Sequence, residues 1–220
     1  MKLLVVNPNT TVAVSELLGR RIGAAVGAAA EVEAITARFG AAYIASEASC
    51  VVAAHAALDA CSAHADAHGR PDAIVVGCFG DPGVFALREA LALPVIGLAE
   101  AAMREAATHG RFAIVTGGAA WGPMLERLAR ALDLADRLAT IEIVAATGAE
   151  LAADPERAIA LLGAACARAA RSADAVVLGG ATLAGMADAI APTLAVPLVD
   201  SVDAAARAAV ATLAALAALR

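Results

Sequence analysis

This chain of 220 residues is poor in the side chains that most often carry cofactors or nucleic acid. It holds a single lysine, Lys2, at the start of an apolar run and poorly placed to form a Schiff base in a buried site, which argues against pyridoxal phosphate. Aromatic residues make up only 3% of the chain and the net charge is −6, with acids and bases interspersed and no basic block; a nucleic-acid partner is therefore not expected. There is no GxGxxG fingerprint, no GK[ST] phosphate loop and no GxSxG elbow, which disfavours nucleotide binding and serine hydrolysis. The four cysteines, Cys50, Cys61, Cys78 and Cys166, form no CxxC pair. They read as free thiols of a cytoplasmic protein. The chain is 61% hydrophobic, yet no charge-free run exceeds Phe112–Leu125, too short for a bilayer span. The Met1–Val6 run is too short for a signal peptide. The expectation is a soluble chain with no membrane partner and no cofactor.

What is present is alternation. Apolar strand-like runs at Leu3–Val6, Val32–Ile35, Asp72–Val76 and Val95–Ile96 are separated by helical stretches, expected near 12–26, 44–67, 83–90 and 99–108. The pattern then restarts with strands at Arg111–Val115, Ile141–Val144, Asp174–Leu178 and Leu198–Val199. Helices are expected near 123–132, from Asp154-Pro155 to about 171, near 183–191, and near 202–219. Such alternation predicts an α/β fold of parallel sheets flanked by helices. Asp72-Ala-Ile-Val-Val-Gly77 matches Asp174-Ala-Val-Val-Leu-Gly179, and Leu93-Pro-Val-Ile96 matches Val196-Pro-Leu-Val199. The repeat predicts two pseudo-symmetric lobes, residues 1–98 with 200–220 and residues 99–199, with the active site in the cleft where their strand ends face each other. The alanine- and leucine-rich final helix suits a homo-oligomer interface as well as sheet cover.

The stretch from Asp72 to Gly83 carries the chemistry. Cys78 follows a buried strand directly. Asp81-Pro82 reads as a helix start, and a helix N-terminus favours thiolate over thiol. Gly77, Gly80 and Gly83 leave backbone N–H groups open to an anionic oxygen. Cys78 therefore reads as a nucleophile or a proton-transfer base. The equivalent position in the second half is Gly180, so only one of the two repeated positions carries an ionisable group. Cys50, Cys61 and Cys166 read as helix packing. His64 and His68 have a helical i, i+4 spacing that suits a metal, but no further ligand cluster accompanies them, so no metal is expected. Asn7 and Asn9 are open to an Asx turn or to a ligand contact.

Asn7-Pro-Asn-Thr10, Gly77-Cys-Phe-Gly-Asp-Pro-Gly83 with Arg88-Glu89, Arg111-Phe-Ala-Ile-Val-Thr116 and Val177-Leu-Gly-Gly-Ala181 together resemble the Asp/Glu/hydantoin racemase superfamily over nearly the whole chain, and within it the hydantoin and allantoin racemases. The departure is Gly180, where the family has its second cysteine. The resemblance implies cofactor-independent α-proton chemistry on a small molecule of the hydantoin, allantoin or amino-acid kind, with Cys78 as acid/base. Asn7, Phe79, Gly80, Thr116, Gly117, Gly180, Ala181 and Thr182 would line the substrate pocket. The superfamily likeness extends to arylmalonate decarboxylase, whose single cysteine belongs to the second half. A one-cysteine lyase, a cysteine hydrolase and a non-catalytic binding homologue are the alternatives.

Overall fold

Leu3–Val6 and Ala73–Val76 are runs of aliphatic residues with almost no exposed surface. Runs buried on both faces are what a central parallel strand requires. The computed structural model describes residues 1–220. Two compact units emerge: Met1–Leu98 with Ala205–Arg220, and Ala99–Ala204. The first holds β1 (Lys2–Asn7), α1 (Val12–Val26), β2 (Glu31–Thr36), α2 (Glu47–His68), β3 (Ala73–Val76), α3 (Val84–Leu91) and β4 (Val95–Gly97). Its four strands are all parallel, in the order β2-β1-β3-β4.

The chain continues through α4 (Leu98–Ala107), β5 (Phe112–Gly117), α5 (Trp121–Ala131), β6 (Leu138–Val144), α6 (Gly148–Ala153), α7 (Pro155–Ala169), β7 (Ala175–Gly179), α8 (Ala187–Ile190), β8 (Leu198–Asp200) and α9 (Ser201–Ala218). The second sheet is again wholly parallel, in the order β6-β5-β7-β8. The repeat is therefore topological as well as sequential.

The repeat also recurs in single hydrogen bonds. Lys2 donates its backbone N–H to the Asp72 carboxylate at 2.6 Å, and Arg111 donates likewise to Asp174 at 2.8 Å. Ile74 donates to the Pro94 carbonyl and Val176 to that of Pro197, both at 2.9 Å. Each aspartate thus closes the sheet one residue before the buried strand. Each proline stands where its missing N–H leaves no gap in the ladder.

Alanine lets the helices sit close to the sheets. In the first unit Ala57, Ala60 and Cys61 of α2 pack on Leu4, Val6, Ile74 and Val76. In the second, Ala158, Leu162, Ala165, Cys166 and Ala169 of α7 pack on Ala113, Val115, Val176 and Leu178. Cys61 and Cys166 are core residues, and burial pushes each thiol up to about 12.

Three local expectations are corrected. The helix expected from residue 44 starts at Glu47, because Ser46 and Ser49 form a reciprocal cap. The helix expected over 183–191 is broken into a 3-10 turn at Ala181–Leu183, the four-residue α8 and another 3-10 turn. Its break falls at Gly185, whose N–H is taken by the Asp200 carboxylate at 2.8 Å. The short helix α6 lies outside the expected elements, although Thr147-x-x-Glu150 is a capping-box signature and both reciprocal bonds are made.

The last helix, α9, is long and apolar enough by length and composition to cross a membrane, with a mean hydropathy of 1.4 over 18 residues. One face of it packs inward, with Val202, Ala205, Ala209 and Leu213 buried, while much of the rest is exposed or half-buried.

Candidate active site

Cys78 lies one residue beyond Gly77 at the C-terminal end of β3. The turn is tight: Gly77 donates to the Val6 carbonyl at 2.8 Å, Cys78 to that of Val76 at 3.0 Å, and Asp81 to that of Cys78 at 3.1 Å. The sheet therefore uses the Gly77 N–H, which corrects the expectation that this group is open to an anionic oxygen. The N–H groups of Phe79 and Gly80 make no hydrogen bond within the chain. In the second unit the same holds for Ala181 and Thr182, the two residues after Gly180.

Cys78 is a free thiol, 8% exposed, with Sγ 3.9 Å from the Phe79 carbonyl. Burial pushes this thiol well above its ordinary value. Negative charge on Cys50 and on Asp81 acts in the same direction. The expectation that a helix N-terminus lowers it is corrected: α3 opens only at Val84, and the residue that caps it is Gly83. Asp81 does not cap α3. It takes a left-handed backbone, φ 54°, and is 4% exposed. Its carboxylate turns instead to Gly97, the last residue of β4.

Asn7, at the end of β1, is fully buried. Its Nδ2 donates to Asn9 Oδ1, the Thr11 carbonyl and Ser15 Oγ, each at 3.0 Å, and its Oδ1 accepts from the Asn9 N–H. The amide is engaged by the Asx turn with Asn9 and by Thr11 and Ser15. Phe79 is buried as well.

In the second unit Thr116 donates its hydroxyl to the Gly179 carbonyl at 2.8 Å, and Thr182 donates to the Gly148 carbonyl at 3.1 Å. Gly117 is closely covered: a Cβ there would lie 2.6 Å from the Ala146 carbonyl oxygen and 2.9 Å from a Leu151 methyl. Gly180 donates its N–H to Ser201 Oγ at 3.3 Å and has a φ of 142°, a region that favours glycine. A Cβ at 180 would meet Leu183 Cδ1 and Cγ at 3.1 Å.

Sequence reasoning misses Asp200 and Ser201. Asp200 is buried and accepts N–H bonds from Gly185, Val202 and Asp203. Loss of hydration pushes its pKa up, helped by the charge of Asp203, while the three backbone donors pull it down. A signal does exist in the chain: Val-Pro-Leu-Val-Asp-Ser aligns with Leu-Pro-Val-Ile-Gly-Leu, so Asp200 falls where the first unit has Gly97. Cys50, expected to serve only in helix packing, is half-buried and near enough to Cys78 to influence its titration. His64 and His68 stack with ring centroids 4.9 Å apart, and His64 lies 3.6 Å from Glu33; no third ligand joins the pair.

The sequence model of the family described as Asp/Glu/Hydantoin racemase matches residues 3–209. A hydantoin racemase of Pseudomonas sp. (strain NS671) is 31% identical over 205 residues, which is 92% of this chain and 82% of that one. The crystal structure of an allantoin racemase from Pseudomonas fluorescens superposes with a TM-score of 0.91 at 29% identity, covering 100% of this chain and 92% of the other. Arylmalonate decarboxylase shares the fold, with a TM-score of 0.65 at 18% identity over 97% of this chain and 92% of that one.

Proposed function

This chain belongs to the Asp/Glu/hydantoin racemase family, and on that premise we propose that it moves the α-proton of a hydantoin- or allantoin-like ring, with Cys78 as the acid/base. The observation that carries this reading is the Cys78 turn: a free thiol at a strand end, followed by two backbone N–H groups without partners. A proton next to a ring carbonyl is acidified by that carbonyl, so the intermediate is an enolate and no cofactor is required. Donors placed at the enolate oxygen stabilise the charge as it develops, an effect that typically lowers the barrier by about 3–4 kcal/mol per donor. The N–H groups of Phe79 and Gly80 are the candidates. The raised pKa of Cys78 suits a thiol that delivers a proton to the enolate, and implies that substrate binding must favour the thiolate for removal.

Gly180 favours a second reading. Without an ionisable group at that position, Cys78 could protonate an enolate left by loss of CO2, as in a one-cysteine lyase. The experiment that separates the two is incubation of single enantiomers of allantoin and of 5-substituted hydantoins in D2O. Deuterium at the α-carbon with loss of optical rotation, abolished in Cys78→Ser, is the expected result. Release of CO2 from an α-aryl or α-alkyl malonate, with no exchange of any hydantoin, would replace the racemase reading by the lyase one.

A further inference from the structure

Gly97 and Asp200 occupy the same place in the two units. Gly97 is the last residue of β4 and pairs with Val76 of β3; Asp200 is the last residue of β8 and pairs with Leu178 of β7. A helix follows each at once, α4 at Leu98 and α9 at Ser201. In the second unit the strand residue carries its own carboxylate, which holds the N–H of Val202, of Asp203 and of Gly185 in the loop after β7.

In the first unit the strand residue has no side chain, yet the space is not empty. A Cβ built on Gly97 would overlap the carboxylate of Asp81: Oδ1 would lie 2.7 Å from it, and Cγ and Oδ2 closer still. The residue aligned with Asp81 in the second unit is Leu183, so the aspartate has changed sides. One unit donates the carboxylate from strand to loop, the other from loop to strand. To reach Gly97 the Asp81 backbone adopts φ 54°, which Asp tolerates better than most residues. Its backbone N–H meanwhile binds the Cys78 carbonyl.

We propose that Asp81 is a positioning residue for Cys78: its carboxylate takes the place of a side chain at position 97 and pins the Cys78–Gly83 loop to the end of β4. The catalytic consequence rests on the reading of Cys78 as an acid/base; the placement does not. Loss of Asp81 frees the loop and leaves a hole beside Gly97. Addition of a side chain at 97 while Asp81 remains forces two carboxylates into one space. Exchange of the two, Asp81→Gly with Gly97→Asp, returns one carboxylate to the site from the strand, as in the second unit, and suits the backbone at both positions.

The test is the four-protein cycle of wild type, D81G, G97D and the exchanged double variant. Each single variant is expected to lower the thermal midpoint by about 4–8 °C, and the double variant to come within about 2 °C of wild type. Alkylation of Cys78 by iodoacetamide, followed by peptide mass spectrometry across pH, reads the effect on the thiol. In D81G, where the nearby negative charge is gone, the half-maximal rate should move to lower pH, and the exchange should return it. Additive losses of thermal midpoint in the double variant would overturn the shared position. An unchanged alkylation profile in D81G would overturn the action on Cys78. A restored midpoint and profile without α-proton exchange in any of the four proteins would support the placement and sink the racemase reading.

Discussion

Thr116 donates its hydroxyl to the carbonyl of Gly179, one residue before Gly180, and so ties the end of β5 to the end of β7 across the sheet. The carbonyl closes β7 at the point where the chain turns away, and Thr116 is almost fully buried. Thr116→Val keeps the shape and removes the donor, leaving a buried carbonyl without that bond; the expected cost is about 1–2 kcal/mol. Thr116→Ser keeps the hydroxyl and should cost less than half as much. Urea unfolding of the three proteins measures the difference. A larger loss in Thr116→Ser than in Thr116→Val would show that the methyl group, not the bond, holds the position.

Gly180→Cys places a thiol where the family resemblance has one, but the backbone there resists it. At φ 142° any Cβ is strained, and this one would press on Leu183. The substitution is expected to cost about 1–3 kcal/mol. Leu183→Ala, added to it, removes the close neighbour and should recover part of that loss relative to the two single variants. The gain to look for is faster α-proton exchange in the G180C/L183A protein than in L183A alone. Exchange unchanged by the added thiol, in a protein that melts cooperatively, would mean that position 180 does not reach the substrate.

Strands and thiol are legible in the chain; the side chains that surround the thiol are not. Ala73–Val76 and Ala175–Gly179 are short, continuous, buried aliphatic runs that end at glycine, a signal that survives without tertiary information. The place of Cys78 is legible too, directly after such a run and among glycines; its reactivity is the reading proposed above. Asp81 is not: Asp-Pro is a helix-start signal, and only the tertiary approach of Gly97 turns the carboxylate elsewhere. The thiol's titration is hidden for the same reason, since burial and the charges of Cys50 and Asp81 are set by folding and outweigh a helix end that begins at Val84. Asn7 reads either way from sequence, and part of what its amide binds, Ser15 on α1, lies eight residues on.

Cys50 and Cys78 should titrate as neighbours. Burial is the largest cause of the raised Cys78 pKa, and charge on Cys50 is the next. Removal of the second thiol in Cys50→Ser leaves burial in place. The expected result is a fall in the pH at which Cys78 becomes reactive, with the midpoint still on the alkaline side of an ordinary thiol. Iodoacetamide labelling at Cys78 across about pH 7 to 11 gives the curve. A shift upward would contradict the charge coupling. A fall to near neutrality would contradict the dominance of burial.

Asp200 gives the pH prediction with the opposite bearing to a surface carboxylate. Its folded pKa is raised, chiefly by burial. The folded state therefore holds a proton more readily than the unfolded chain, and stability from this group is fully present below the ordinary carboxylate value of 3.8 and is lost as pH rises through the folded value. Asp200→Ala orphans three backbone N–H groups and should cost about 2–4 kcal/mol at about pH 4, and less as pH rises and the wild type loses the contribution of this group. Asp200→Asn keeps an acceptor for Val202 and Asp203, loses the bond to Gly185, and carries no charge. Compared with wild type it should be the weaker protein at about pH 4, and the deficit should shrink as pH approaches about 7, by at most about 1.4 kcal/mol per pH unit in the titrating range. Urea midpoints of the two proteins at unit steps across that range decide it. A deficit that grows with pH would mean that the three N–H donors outweigh the lost hydration and that Asp200 is held as the anion.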